Sequence, residues 1–244
     1  MSPANLTRSP AVVTADTGGD GTVYLLIHGI GVSSRYFERL VPRLAPNGRV
    51  VTIDLPGFGR APKPDRPYTV EDFAEVVADV VDRLRLGSCV VVGHSMGSQV
   101  ATRLALRRPD AVAALALIGP VIDARERSAV VSGLRLAQDT IGERPRANWL
   151  VLSDYLRCGL PWYLAVLPSM LAYRIEDDLR EVTAPVTLIR GAGDPIARTD
   201  WLRMLAERGP AATAVEVAGA RHLVIHSHPA ETARQLRLLA QPAH

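Results

Sequence analysis

The sequence predicts an α/β protein built on a mostly parallel, doubly wound sheet, with a helical insertion ahead of its last two strands. Three observations lead there. Six short apolar runs rich in Val, Ile and Leu break off at Gly, Pro or Asp, which is too short for helices and typical of strands. Their hydrophobicity is continuous rather than alternating, as expected of strands covered on both faces in a parallel sheet. Amphipathic helical segments stand between them, and strand-helix alternation of this kind is the mark of a doubly wound fold.

In chain order the runs are TVYLLIHG (22–29), RVVTIDLPG (49–57), SCVVVGHS (88–95), VAALALIGP (112–120), PVTLIRGAGD (185–194) and AVEVAGARH (214–222). The clearest helix is TVEDFAEVVADVVDRLRLG. Thr69 is a good N-cap with Asp72 three residues on, and Gly87 is expected to end the helix. Phe73, Val76, Val77, Val80, Val81 and Leu84 recur at helical spacing and give one face to lay on the sheet. From Val121 to about Thr183 no strand intervenes, and a structureless connection of that length does not fit a compact domain. ARERSAVVSGLRLAQD and ANWLVLSDYLRCGL within it read as helices. The expected organisation is therefore a core of residues 1–120 and 184–244, with residues 121–183 inserted as a helical cap.

Bulk properties limit the function. A chain of 244 residues, 48% of them hydrophobic, can bury one sizeable core. The net charge of +3 comes from scattered arginines, with Lys63 the only lysine. Without a basic tract, a nucleic-acid partner is not expected. Cys89 and Cys158 lie far apart, with no disulfide framework and no metal-ligand spacing. The N-terminal MSPANLTRSP lacks a basic region followed by an apolar one, and no stretch approaches the roughly 18 apolar residues of a membrane span. The expectation is a soluble, cytoplasmic protein acting on a small molecule, with no membrane partner, cofactor or metal.

Ser95 is the residue most suggestive of chemistry. It follows the strand CVVVG and opens the helix SMGSQVATRLALRRPD, with Gly93 and Gly97 two residues to either side. A tight strand-to-helix turn crowds those flanking positions, which glycine relieves, and it lifts the hydroxyl above the carboxyl edge where open α/β sheets bind ligands. A serine hydroxyl needs an adjacent base, itself oriented by an acid. The ends of later strands supply both: Asp194 after PVTLIRGAG and His222 after AVEVAGAR.

With these residues in place the sequence resembles the α/β-hydrolase superfamily, in its cap-bearing esterase and lipase-like branch. HGIG (28–31) resembles the oxyanion-loop motif, DLPGFGR (54–60) the loop after the next strand, and GHSMG (93–97) the nucleophile elbow. GAGDPIA (191–197) resembles the acid loop and GARH (219–222) the histidine loop. The resemblance implies the α/β-hydrolase fold, with Ser95 as nucleophile, His222 as general base and then acid, and Asp194 orienting His222. It implies backbone N–H donors at Ile30 and Met96 for the oxyanion. Asp123, just after the fourth run, is an alternative acid. His28, His94 and Asp54 read as loop-shaping residues. His226 and His228, expected in the first turn of the last helix, stand where the superfamily usually has an acidic residue.

Dehalogenases and epoxide hydrolases of this superfamily carry aspartate where this chain has Ser95. Its carbon-carbon bond hydrolases commonly have tryptophan after the histidine, where Leu223 stands here. Hydrolysis of a small or medium, largely apolar carboxylic ester through an acyl-enzyme is the leading reading. Thioester or carbon-carbon cleavage by the same triad is the alternative, and a non-catalytic receptor on this scaffold a more distant one. The insertion holds Trp149, Tyr155, Trp162, Tyr163 and Tyr173, five of the twelve aromatic residues of the chain. Trp149, Trp162 and Tyr163 are the expected substrate contacts there.

Overall fold

A computed structural model describes residues 12–143 and 145–241. The segment MSPANLTRSP, read above for targeting signals, lies outside the described residues. The strands are β1 (Val12–Asp16), β2 (Thr22–Ile27), β3 (Gly48–Asp54), β4 (Cys89–His94), β5 (Val112–Ile118), β6 (Val186–Gly191) and β7 (Ala212–Val217). The helices are α1 (Val41–Leu44), α2 (Val70–Leu84), α3 (Met96–Arg107), α4 (Ala129–Gly142), α5 (Pro145–Cys158), α6 (Leu160–Ala172), α7 (Ile175–Asp178), α8 (Thr199–Arg208), α9 (Val224–Ser227) and α10 (Pro229–Leu239).

The seven strands form one sheet in the order β1-β3-β2-β4-β5-β6-β7. All six expected strands are present and pair in parallel. β1 is an addition. It runs antiparallel along β3 at the edge, with a register shift between Val13 and Ala15, and Arg49 of β3 grips Asp16 through Nε at 2.9 Å and Nη2 at 2.6 Å.

Residues of one strand divide alternately between two cores. Leu25 and Ile27 of β2 and Val91 of β4 pack on one face with Phe73, Val77, Val80 and Val81 of α2 and Val100 and Leu104 of α3. Tyr24, Leu26, Val90 and Val92 point to the other face, against Leu44 of α1 and Ala233 and Leu236 of α10. Period-two alternation with helices on both sides is why each run is apolar throughout.

In α2 the capping box forms as the sequence predicts. The Asp72 N–H donates to Thr69 Oγ1 at 3.2 Å and the Thr69 N–H to Asp72 Oδ2 at 2.8 Å. The C-terminus differs from expectation: the helix stops at Leu84, and Arg85 rather than a glycine takes the left-handed position, with φ 50°. Its N–H donates to Asp82 C=O, and the next residue's to Val81 C=O, so the last carbonyls are satisfied before Gly87 is reached.

Between β5 and β6 stand α4, α5, α6 and α7, where the sequence predicts helices and no strand. Parallel β2 to β7 bring their carboxyl ends to one edge of the sheet. The loops leaving that edge carry His28 to Ser34, Ser95, Gly119, Asp194 and His222. No helix among the described residues is long and apolar enough to cross a membrane.

Thr69→Ala removes the acceptor that caps α2 and is expected to cost about 1 kcal/mol. In urea this reads as a lower unfolding midpoint at unchanged m.

Candidate active site

Ser95 is the pivot of the carboxyl edge. Its backbone sits at φ 57°, ψ −124°, a conformation L-residues rarely adopt. A Cβ at Gly93 would collide with the Gly97 carbonyl, and one at Gly97 with the Ile27 carbonyl, so glycine at both positions lets the turn close against β2. The Ser95 N–H donates to Ile118 C=O at 2.9 Å. Ser98 Oγ donates to Gly93 C=O at 3.0 Å, stitching the first turn of α3 back to β4.

His222 Nδ1 meets Asp194 Oδ2 at 2.8 Å. Asp194 Oδ1 accepts the N–H groups of Ile196 and Ala197 at 2.8 and 3.0 Å, so both carboxylate oxygens are engaged. The imidazole passes against Gly119, φ 53°, where a Cβ would stand 2.9 Å from Cε1. Burial alone would raise the Asp194 pKa, but the charge and hydrogen bond of His222 hold it below its ordinary value. For His222, burial pulls the pKa down. The charge and hydrogen bond of Asp194 outweigh it, Asp139 and Glu143 add to them, and the pKa is pushed up to about 9. With Nδ1–H held by Asp194, Nε2 is the nitrogen left to take a proton.

A second polar chain ties three loops together. His94 Nε2 lies 2.9 Å from the His222 carbonyl, which can only accept, so Nε2 carries the proton of His94. Nδ1 then accepts from Tyr36 Oη at 3.1 Å, and Tyr36 Oη accepts the Gly29 N–H at 2.8 Å. Burial above all pulls His94 down to about 3, so the ring stays neutral and the chain keeps its direction. His28 is likewise held neutral by burial, accepting the Leu55 N–H at Nε2 and donating from Nδ1 to Gly29 C=O. Both histidines shape loops, as the sequence suggests. Tyr36 carries no motif of its own.

Ser95 and His222 line one open cavity. Ile30 lines it too, and since the Gly29 N–H is held by Tyr36, Ile30 supplies the next N–H along that loop. Met96 is the first residue of α3, where an N–H has no partner within its helix. Tyr163 lines the cavity, together with Tyr155.

Two expected substrate contacts stand elsewhere. Trp149 is 69% exposed: α5 turns Asn148, Val151 and Tyr155 to the cavity at helical spacing, and that phase sends Trp149 to solvent. Trp162 is buried with its indole against Gly57, about 100° around α6 from Tyr163.

The imidazole bonds to Asp194, whereas Asp123 is held by Arg125, Nη2 to Oδ2 at 2.6 Å. Asp54 accepts the N–H groups of Ser34 and Arg60, both at 2.8 Å, and so shapes two loops. His226 is buried in α9 with Glu38 Oε1 3.6 Å away, and His228 precedes α10 with Nδ1 3.0 Å from Ser227 Oγ. Neither lies in the first turn of α10, where the sequence suggested them. Cys89 and Cys158 are buried free thiols.

Sequence reading also missed Arg190. This buried side chain donates to the carbonyls of Asp194 and Ala197 and pairs with Glu216 at 3.0 Å, bracing the acid loop from β6.

Residues 24–235 match the alpha/beta hydrolase family. The chain belongs to that family. Among curated members it is 30% identical, over 92% of its length and 96% of theirs, to the pimeloyl-[acyl-carrier protein] methyl ester esterase of Yersinia pseudotuberculosis. It is 26% identical to the 2-(acetamidomethylene)succinate hydrolase of Mesorhizobium japonicum, over 89% of this chain and 87% of that one. A thermophilic esterase from Thermogutta terrifontis has the same fold, with a TM-score of 0.80 at 22% identity, covering 95% of this chain and 94% of that one. The family's named members here are hydrolases and esterases.

Tyr36→Phe leaves the Gly29 N–H and His94 Nδ1 buried without the hydroxyl between them. Each such loss costs about 1–3 kcal/mol, and chemical denaturation of the variant should show a destabilisation of that size.

Proposed function

We propose that this hydrolase cleaves a small or medium, neutral and largely apolar carboxylic ester through an acyl-enzyme on Ser95. The observation that carries the reading is the 2.8 Å His222–Asp194 bond beside a serine held in a strained turn on the same cavity.

Ser95 Oγ attacks the ester carbonyl and gives its proton to His222 Nε2. The carbonyl oxygen becomes an oxyanion facing the N–H groups of Ile30 and Met96, and loss of one such donor costs about 2.7–4 kcal/mol of transition-state stabilisation. As the intermediate collapses, the Nε2 proton passes to the leaving alkoxide and the alcohol departs. Water, deprotonated by the same nitrogen, then frees the acid and restores Ser95. Asp194 keeps the imidazole in its tautomer and balances the imidazolium.

The insertion, residues 121–183, acts in this reading as a cap that selects the substrate. It contributes much of the cavity wall, including Leu136, Val151, Tyr155, Tyr163 and Met170. The described lining residues include one carboxylate, Asp139, and no Lys or Arg. An acyl chain ending in a free carboxylate and reaching Asp139 would meet repulsion, with no Lys or Arg in the lining to hold it. The relative from Mesorhizobium japonicum is named for a succinate; the charge of this cavity favours an uncharged acyl group instead.

Acting as one unit, Ser95 and His222 make the triad non-additive. Ser95→Ala and His222→Ala should each abolish nearly all turnover of p-nitrophenyl acetate, with little further loss when combined, and Ser95→Ala should abolish labelling by a fluorophosphonate. Because the neutral imidazole is the base, kcat/KM should still be climbing above neutral pH, through a pKa raised to about 9. Wild-type turnover in Asp194→Asn beside an inactive Asp123→Asn would overturn the choice of acid, and an unlabelled Ser95 would favour a receptor.

A matched panel of oxygen esters, thioesters and ring-fission diketones decides the bond cleaved. Within the esters, methyl or ethyl esters of neutral acyl groups should be preferred over hemiesters of dicarboxylic acids. Tyr163→Ala should change relative kcat/KM across acyl lengths while fluorophosphonate labelling persists. Equal rates for neutral and anionic esters would remove the role given to Asp139, and unchanged acyl preference the role given to Tyr163.

A further inference from the structure

We propose that Asp139, with Glu143, is a positioning residue for His222, so that seating the inserted helix α4 on the core also sets the general base. The inference rests on the reading of His222 as base.

The histidine loop is held from the insertion by its main chain. The His222 N–H donates to Asp139 Oδ1 at 3.3 Å and the Leu223 N–H to Glu143 Oε1 at 3.0 Å. Arg221 adds a bond from Nη2 to the Gln138 carbonyl at 2.8 Å and one from Nε to Asp139 Oδ1 at 3.3 Å. The two carboxylates are four residues apart, one turn along the end of α4, and so match two consecutive N–H groups. Gly142 lies between them where the Arg221 guanidinium passes, and a Cβ there would collide with it.

Both carboxylates are buried, and a buried carboxylate is costly unless its oxygens are engaged. A surface latch between insertion and core needs no such arrangement. Asp139 also lines the cavity that holds Ser95 and His222, so its charge stands beside the reacting groups.

The charged and titratable groups facing His222 come from four directions. Asp194 approaches from the loop after β6, Asp139 and Glu143 from the end of α4, neutral His94 from the elbow, and Arg221 from its own loop, paired to Asp139. The negative groups act together to hold the imidazolium. Burial raises the pKa of Asp139 itself, while His222 draws it back down. Removing the Asp139 charge should therefore lower the pKa of His222 and destabilise the imidazolium formed as Ser95 gives up its proton. The base becomes available at lower pH, yet the plateau rate falls. A residue that only glued the insertion to the core would not produce that opposed pair of changes.

The experiment compares wild type, Asp139→Asn, Asp139→Ala and Glu143→Gln. It uses kcat/KM against pH for p-nitrophenyl acetate, fluorophosphonate labelling, and the His222 ring titration followed by NMR, which needs no turnover. Asn keeps an acceptor for the His222 N–H but not the charge; Ala loses both. In Asp139→Asn the ring titration and the acid limb of activity should move down by roughly one pH unit, with a plateau a few-fold lower. In Asp139→Ala the limb should move likewise and the plateau drop by about tenfold or more, since a mispositioned base loses its alignment with the reacting atoms, chiefly in kcat. Glu143→Gln should shift the limb in the same direction by less.

If Asp139→Ala does not fold, the near-isosteric Asn variant decides. Ring titration and plateau indistinguishable from wild type in folded Asp139→Asn, or an effect confined to KM for long esters, would overturn the inference. A wild type that fails to label at Ser95 would instead overturn the proposed function, whatever the ring titration shows.

Discussion

Ser95 can hold its backbone at φ 57° only because nothing projects from Gly93 or Gly97. Strain of this kind costs about 1–3 kcal/mol and persists only where the surroundings over-determine it. Here they are β2, whose Ile27 carbonyl lies against Gly97, and β5, whose Ile118 carbonyl takes the Ser95 N–H. The turn thus depends on β2, β4 and β5 lying side by side in the centre of the sheet. That adjacency in turn brings together the loops after β2 and β4, and the loop after β7 reaches back to them, so that Tyr36, His94 and His222 join in one polar chain.

Buried charge sets the second constraint. Asp194, Asp139 and Glu143 all sit in the interior around one imidazole, and three carboxylates there would repel unless each were answered. Each is answered by main-chain donors: Ile196 and Ala197 for Asp194, His222 for Asp139, Leu223 for Glu143. Irregular backbone around the site is therefore useful, because N–H groups not used in helices or strands remain free to bind carboxylates. The same supply of loop N–H groups underlies the roles given to Ile30 and Met96.

The six parallel strands were legible because burial on both faces makes them apolar throughout. Ser95, Asp194 and His222 were legible because a carboxyl edge collects whatever follows each strand, so order along the chain became proximity in space. β1 escaped notice: it is an antiparallel edge strand that contributes little more than VVT to an otherwise polar stretch. The end of α2 was misplaced because Arg85 takes a conformation that sequence assigns to glycine. Tyr36, Arg190, Asp139 and Glu143 each have a partner 26 to 83 residues away, beside the nearer ones of Tyr36 and Arg190. Tertiary placement alone gives them meaning. Composition showed that the insertion is rich in aromatics, but not which face of each helix the core would cover. On α5 the phase chose Tyr155 over Trp149, and on α6 it chose Tyr163 over Trp162.

That same phase places the insertion on two loops of the candidate site at once. One turn before the end of α5, buried Asp154 accepts from Ser33 Oγ at 2.5 Å and pairs with Arg35 at 2.8 Å, both in the loop that follows Ile30. At the end of α4, Asp139 and Glu143 hold the loop of His222. Asp154 would not be relieved by water if the insertion were merely displaced by an ångström, since hydrogen bonds weaken steeply with distance and angle while the group stays buried. The seated arrangement is therefore set apart from partly seated ones, and under the proposed function a substrate held beneath α4 to α6 would favour the seated one. In the proposed reading, selection of the acyl group and alignment of base and oxyanion donors then draw on the same contacts.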